Sequence, residues 1–343
     1  NEEIRRVPDR VKKGCPPLVQ QGKSIDRPLL GVLLTICFGM IIPFSDVFAK
    51  ILTGSVPLVT ILLARFTGQA LMSAPALLRN GMKMSGRLWM LTGFRTALQL
   101  YSLGLIYIAF RYIPLADAIA IGFISPFLLM LMGKFFLGEQ VGPRRISACG
   151  VGFIGTMMVI QPSFSEVGVV ALIPLASAFT FALYSLTTRQ LVREGDPALI
   201  QGISGVQGAA MMVLVALLAG SSFEDARIVV PSVDEAWLLF GIAFVGSFAH
   251  MLMTWALRLA PAATLAPVQY AEIPFATLMG WLFFAEFPND VAAMGMMLIV
   301  GAGLYIVYRE RVVARQKAVE AAQGAQPVQV TPPDPQAATT PAG

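Results

Sequence analysis

Ala109-Phe110-Arg111-Tyr112-Ile113-Pro114-Leu115-Ala116 recurs 147 positions later as Ala256-Leu257-Arg258-Leu259-Ala260-Pro261-Ala262-Ala263. The match continues through Gly133, Phe136 and Glu139, which return as Gly280, Phe283 and Glu286. Each copy runs from an apolar segment through a short Arg-to-Pro turn into a second apolar segment that closes on Glu. Duplicated membrane units of this kind build transporters, because two related halves can rock about a site held between them.

The rest of the chain belongs in a bilayer. Its 343 residues are 56% hydrophobic and 13% charged, with a mean hydropathy of +0.70, which is more apolar surface than one soluble core buries. Crossing the hydrocarbon layer takes roughly 20 apolar residues. Ten stretches qualify: Leu29 to Leu52, Pro57 to Leu78, Leu88 to Phe110, Leu115 to Leu137, Arg144 to Gln161, Gly168 to Arg189, Ala198 to Ala219, Trp237 to Leu257, Ala262 to Phe284 and Val291 to Tyr308. The fifth and tenth are both short, at 18 residues, which supports two halves of five. The expected fold is an all-α integral membrane protein of ten transmembrane helices, arranged as two inverted five-helix repeats over 29–161 and 168–308.

Inversion follows from the odd number of spans per half, and the charges agree with it. Cytoplasmic loops and ends collect Lys and Arg. With the N-terminus inside, every basic residue except Lys50, Arg65, Arg111 and Arg227 falls on the inner side. Both termini are expected in the cytoplasm and the protein in the inner membrane. This topology accounts for the net charge of +5, so no nucleic-acid partner is implied, since such a partner would need a basic patch on a folded polar face. Residues 1–28 are polar and lack the apolar core of a secretory signal. The chain beyond Gln316 is rich in Ala, Gln, Pro and Thr and is expected to be a disordered tail following the basic stretch that starts at Arg309.

Metal and cofactor chemistry find no support. Cys15, Cys37 and Cys149 are far apart and match neither a disulfide framework nor a zinc spacing, and one histidine cannot build a His-rich metal centre. Gly150-Val151-Gly152-Phe153-Ile154-Gly155 fits the dinucleotide pattern, but it lies inside an apolar span without the strand and acidic residue that the pattern needs. Small residues at this spacing let membrane helices approach closely, and Gly202, Gly205 and Gly208 repeat the device.

The repeat sorts the charged residues. Arg111 has a counterpart in Arg258, Glu139 in Glu286 and, more loosely, Lys50 in Arg189; all lie at span ends, where long side chains anchor helices. Other charges have none and lie deeper. The counterpart of Arg95 is Ile242 and that of His250 is Leu103, Glu272 falls opposite Ile124 when Pro126 is aligned with Pro274, and Asp46 and Arg65 also stand alone. At 1.5 Å per residue Glu272 is roughly 15 Å from its span's inner end, with His250 and Arg65 at comparable depth, while Arg95 and Asp46 are about 10 Å and 9 Å from an end. Ionised groups at such depth face a cavity or a partner.

Spacing orients them. Arg95, Gln99 and Ser102 form one stripe of the third span, Thr180, Tyr184 and Thr187 one of the sixth, Ser247, His250, Thr254 and Arg258 one of the eighth, and Gln269 with Glu272 marks the ninth. Four polar stripes on apolar helices point to one shared cavity, with Trp255 and Tyr270 as nearby aromatics that either pack or stack on substrate. Pro126 and Pro274 interrupt the fourth and ninth spans at matching points, as helices that form transporter binding sites do.

These residues carry a family resemblance. The block from Arg111 to Phe136-Leu137-Gly138-Glu139, its second copy from Pro267-Val268-Gln269-Tyr270-Ala271-Glu272-Ile273-Pro274 to Phe284-Ala285-Glu286, and Phe38-Gly39 with Lys50 resemble the drug/metabolite transporter superfamily of the two-EamA-repeat type, with Phe38 where that family has Trp. The resemblance implies a carrier working by alternating access, with a central cavity lined by helices 1, 3, 4, 6, 8 and 9 and a substrate such as an amino acid, nucleotide-related compound, riboflavin, carboxylate or amine.

The resulting expectation is a secondary transporter of a small polar or zwitterionic metabolite. Its candidate substrate-binding residues are Arg95, Gln99, Tyr184, His250, Gln269, Tyr270, Glu272, Asp46, Arg65 and Trp255. Arg95 would attract an anionic group and Glu272 a cationic one or a coupling proton that His250 could share. The alternative is a membrane-embedded enzyme acting on a lipid or acyl group, which would need a nucleophile with a base or paired carboxylates near one interface.

Overall fold

Helices make up all the regular structure among the residues that the computed structural model describes, which are 27–81, 84–113, 115–139, 141–160, 168–284 and 290–324. Glu286 and Pro114 lie outside them. The ten spans appear in order. The first is Pro28–Leu52 and the second runs as Leu58–Met72 and Ala74–Asn80 about a break at Ser73. The third is Gly86–Tyr112, the fourth Leu115–Gly122 with Ser125–Leu137, and the fifth Pro143–Ile160. The sixth is Leu172–Glu194 after a short turn, and the seventh Pro197–Ala219. The eighth joins Val233–Gly241 and Ser247–Leu259 through a π turn at Ile242–Gly246, the ninth is Ala262–Gln269 with Glu272–Phe284, and the tenth is Asp290–Gly324.

Local chemistry sets the ends. Ser85 accepts from Leu88 N and Asp196 from Leu199 N, each satisfying an orphan amide at a helix start. Ser232 and Glu235 form a reciprocal capping box before the eighth span. Four helices are continuous, long and apolar enough to cross a membrane, and these are the first, sixth, seventh and eighth spans. The fourth and ninth are each broken, after Gly122 and after Gln269, and restart at Ser125 and Glu272. Both restarts are 147 residues apart, so the structural counterpart of Glu272 is Ser125. The alignment on prolines pairs it with Ile124 instead, one residue away.

The tail departs from expectation. Helix continues to Gly324, past Gln316, where composition predicts disorder. Residues 309–322 contain many Arg, Glu, Gln, Lys and Ala, all strong helix formers, and no proline occurs before Pro327.

Packing follows a two-fold scheme that interchanges the halves. The second span packs on the seventh and the fifth on the tenth; the third packs on the sixth as the eighth does on the first. Small residues set these distances. Gly205 lies against the Ala70 backbone, Gly208 against the Phe66 ring and Gly155 against Gly295 O, so the glycine pattern of the fifth span serves packing. Large apolar side chains such as Leu71, Met90, Phe94, Leu217, Phe244 and Met297 face outward, as a lipid-embedded surface requires.

Span-end charges tie loops to helices. Arg258 donates to Gly195 O at 3.2 Å, and Arg111 donates to Asp225 at 2.7 Å. That hydrogen bond holds the Asp225 carboxyl below its ordinary value of 3.8, so the pair contributes at neutral pH and is lost as pH falls below that value.

A Cβ at Gly205 would stand 2.5 Å from Ala70 N, whereas at Gly303 it would meet nothing within 4 Å. Gly205→Ala is therefore expected to cost about 1–3 kcal/mol by overpacking and Gly303→Ala to cost nothing, with the thermal midpoint of the detergent-solubilised protein as the measurement.

Candidate functional site

A cavity of about 130 Å³ lies between the halves. Its polar lining comes from Asp46 of the first span, His250 of the eighth and Gln269 and Glu272 of the ninth, with Ser102, Ser125 and Ser177 from the third, fourth and sixth. Four rings, Phe38, Phe110, Phe123 and Phe181, supply much of the apolar wall. Spans 1, 3, 4, 6, 8 and 9 thus all contribute.

The broken ninth span places Gln269 and Glu272 at the facing ends of two half-helices. The break approaches the first span closely, because Gly39 is next to it: a Cβ there would be 3.1 Å from both Cα and N of Glu272. Asp46 and Glu272 are half-buried, and neither carboxylate has a hydrogen bond or ion pair with another described residue. Both are open to a ligand.

Arg65 has a different role from the one its depth suggests. It is fully buried and donates to Ser45 Oγ at 3.1 Å, Ile242 O at 3.2 Å, Gly246 O at 2.9 Å and His250 Nδ1 at 2.8 Å. The two carbonyls belong to the π turn, where the helical ladder is loosened and backbone acceptors need another donor. Gly246 is required there because a Cβ would overlap the guanidinium. Nδ1 of His250 also lies 3.2 Å from Gly246 O, but its shorter contact is to an Arg that only donates, which assigns Nδ1 as acceptor and the ring proton to Nε2. That nitrogen has no protein partner and belongs to a cavity-lining residue. With Nδ1 engaged by Arg65, His250 is suited to donating a hydrogen bond from Nε2 rather than to sharing a coupling proton.

The remaining candidates lie behind the wall. Arg95 is fully buried and held by Tyr184, Thr188, Gln201, Ser204 and Thr254. Gln99 donates to Gln69 at 3.4 Å. Tyr270 wedges against Gly152, with its hydroxyl 3.9 Å from Cys149 Sγ. Trp255 stacks under Arg258 at 5.8 Å. The expected set of ten therefore divides: Asp46, His250, Gln269 and Glu272 line the cavity, and Arg65, Arg95, Gln99, Tyr184, Tyr270 and Trp255 do not. Gln201 and Ser204 escaped the sequence reading, although their i, i+3 spacing in the seventh span is the same kind of stripe.

Glu139 ties the halves together where the fourth and sixth spans end and the ninth begins. Gly138 ends the fourth span in the left-handed conformation, φ 62°, which turns Glu139 back toward the ninth span. Its carboxylate, 5% exposed, accepts from Ala262 N at 3.2 Å and Ala263 N at 2.9 Å, capping a helix start whose own N-cap residue is Pro261. Arg189 and Arg193 of the sixth span pair with the same carboxylate at 3.4 and 3.7 Å. Arg189 also donates to Leu257 O at 2.6 Å and Arg258 O at 3.1 Å. One side chain of the first half thus holds three spans of the second.

The profile of the EamA-like transporter family matches residues 29–161 and 168–309. A riboflavin transporter of Rhizobium johnstonii is 32% identical over 198 residues, covering 58% of this chain and 63% of that protein, so the alignment spans less than two thirds of this relative. A riboflavin transporter of Brucella anthropi is 29% identical over 261 residues, 74% of this chain and 89% of its own. The pseudopaline exporter CntI of Pseudomonas aeruginosa is 32% identical over 199 residues, 57% of this chain and 67% of its own. A crystal structure aligns with a TM-score of 0.64 at 22% identity over 82% of this chain and 98% of its own, a likeness of fold.

Arg65→Met leaves the π-turn carbonyls and His250 without their donor. At about 1.5–3 kcal/mol for each hydrogen bond to a charged group, the expected outcome is a lower thermal midpoint and loss of a monodisperse species in size-exclusion chromatography, unlike the modest effect expected of Trp255→Phe.

Proposed function

Since the chain belongs to the EamA-like transporter family, and through it to the drug/metabolite transporter superfamily, we propose that it is a secondary carrier that moves a small polar metabolite by alternating access to the cavity between its repeats. The observation that carries this reading is a cavity with two unengaged carboxylates, lined by both halves and closed on one face by contacts between the halves. At about 130 Å³ it is smaller than ligand pockets of roughly 300–1,000 Å³, so a substrate the size of a flavin needs the halves to separate further. Relatives named for riboflavin, S-adenosylmethionine and pseudopaline support a substrate with several polar groups. Here Asp46 and Glu272 would receive donors or positive charge, Gln269 and His250 Nε2 would meet polar atoms, and the phenyl rings would cover a flat or apolar part.

Orientation follows the basic residues: the Glu139 face is cytoplasmic, and while it is closed the cavity faces the other side. An enzymatic reading gains no support from the site. Ser102 and Ser177 hydrogen-bond each other and each other's carbonyls, and His250 Nδ1 is engaged by Arg65, so among the described residues no base activates a nucleophile.

In proteoliposomes, Glu272→Gln and Asp46→Asn are each expected to lower uptake of a transported probe, chosen by counterflow of riboflavin, S-adenosylmethionine and amino acids, by about tenfold or more, equivalent to about 1.4 kcal/mol. Unchanged binding and unchanged pH dependence in Glu272→Gln would sink the proposal. Glu139→Gln should loosen the closed face: labelling of Leu186→Cys, in a background lacking native cysteines, by an impermeant maleimide from that face should rise several-fold, while labelling of the cavity position Ser177→Cys from the other face falls.

A further inference from the structure

Arg65 and Arg95 are both fully buried guanidiniums near the cavity without an ion pair among the described residues, but Arg65 is fixed on the backbone carbonyls of the π turn whereas Arg95 is held by side chains alone. It is 0% exposed. Its Nε donates to Thr188 Oγ1 at 2.8 Å and one terminal nitrogen to Ser204 Oγ at 2.8 Å. The other terminal nitrogen, with two protons, has three acceptors in reach: Tyr184 OH at 2.9 Å, Gln201 Oε1 at 2.8 Å and Thr254 Oγ1 at 3.4 Å. Every acceptor is uncharged, and Arg95 has no ion pair among the described residues. Arg189, another buried arginine at a contact between the halves, has Glu139.

An unpaired guanidinium in an apolar interior carries a desolvation penalty that neutral hydrogen bonds offset only in part. The scaffold does not demand it, since the repeat places Ile242 at the equivalent position. The cluster also holds spare capacity. Gln201 Nε2 is buried without a partner, and Thr254 already has His250 O at 2.7 Å. Tyr184 neighbours both Arg95 and the cavity wall: the guanidinium is 4.7 Å from its ring centroid, and the ring of His250, which lines the cavity, is 6.1 Å from it, centroid to centroid.

We propose that Arg95 is the seat of a substrate carboxylate, which displaces the neutral acceptors of its terminal nitrogens and gains Gln201 Nε2 as a further donor. Arginine's planar fork matches a carboxylate in bidentate geometry. With Asp46 and Glu272 on the cavity wall, the two ends of the site select opposite charges, and the substrate class is a zwitterion: a carboxylate at Arg95 and a cationic group at the acids. This rests on the carrier reading for where the substrate comes from, but its test needs no transport.

The test is thermal stability of the purified protein with the twenty L-amino acids, acetate and succinate, each compared with its carboxamide at equal ionic strength. At least one zwitterionic carboxylate should raise the midpoint in a saturable manner while its carboxamide does not. Arg95→Gln should abolish the response, and Arg95→Lys, which lacks the fork, should weaken the apparent Kd by at least about tenfold. Gln201→Glu supplies an internal carboxylate at the same place, so it should raise the midpoint of the ligand-free protein and remove the response to added carboxylates; it decides the matter even if Arg95→Gln does not fold. Equal responses to carboxylates and carboxamides, no response to any compound, or a response retained in Arg95→Gln or Gln201→Glu would overturn the assignment. Failure of uptake with intact carboxylate binding would instead count against the carrier reading alone.

Discussion

Within a bilayer no water waits to satisfy a polar group, so every buried charge and every freed backbone carbonyl must find its partner inside the protein. That constraint distributes the deep polar residues into distinct kinds of place. Arg65 is sealed, its two terminal nitrogens engaged by the carbonyls of the π turn, Ser45 and His250. Glu139 is shared between the halves, taking two backbone amides and two arginines. Asp46 and Glu272 are left on the wall of a cavity with no partner among the described residues. The same rule that makes the first group structural makes the last group available.

The two-fold scheme explains why these places fall where they do. Interchange of the halves pairs the third span with the sixth as it pairs the eighth with the first, and the space left between those pairs is the cavity. Breaks in the fourth and ninth spans come at equivalent points, after Gly122 and Gln269, so both halves present half-helix ends to one volume. Symmetry builds the container, while chemistry inside it is asymmetric: Ser125 in one half corresponds to Glu272 in the other, and Leu103 to His250. A site with two like halves would suit a two-fold ligand; this one presents different groups at its two ends.

Much of this was legible in the sequence. The duplicated block, the ten apolar stretches and the matching prolines give the spans, the pairing of breaks and the family, because length and hydropathy alone constrain a membrane chain tightly. The depth of Asp46, His250 and Glu272 and the stripe with Gln269 gave the cavity wall. What stayed hidden is direction. Arg65 and Glu272 lie at similar depth, yet one turns into a helix contact and the other into a void, and depth carries no azimuth. The π turn is invisible to a 3.6-residue period, since Gly241 to Gly246 reads as ordinary apolar helix, and without it the need for a donor at Arg65 cannot be seen. Gln201 and Ser204 sit among the glycines of the seventh span, where packing is the dominant signal. The helix reaching Gly324 was obscured by judging the tail on its proline-rich end rather than on the helix formers that come first.

In the proposed carrier, the Glu139 cluster is built so that a closed face can reopen. A buried ion pair with ideal geometry resists separation, because breaking it strands a charge at a cost of about 3–5 kcal/mol. This cluster is built otherwise. Its arginine contacts are 3.4 and 3.7 Å long, Arg193 is 45% exposed, and the short bonds are to two backbone amides. Arg189 keeps Leu257 O and Arg258 O after Glu139 leaves, and Arg193 returns to water. The arginine end of the broken contact therefore keeps its partners, which lowers the cost of parting toward the few kcal/mol over which a ligand can shift a two-state equilibrium. A bolt made of distributed, moderately long contacts holds the halves together and still lets them part.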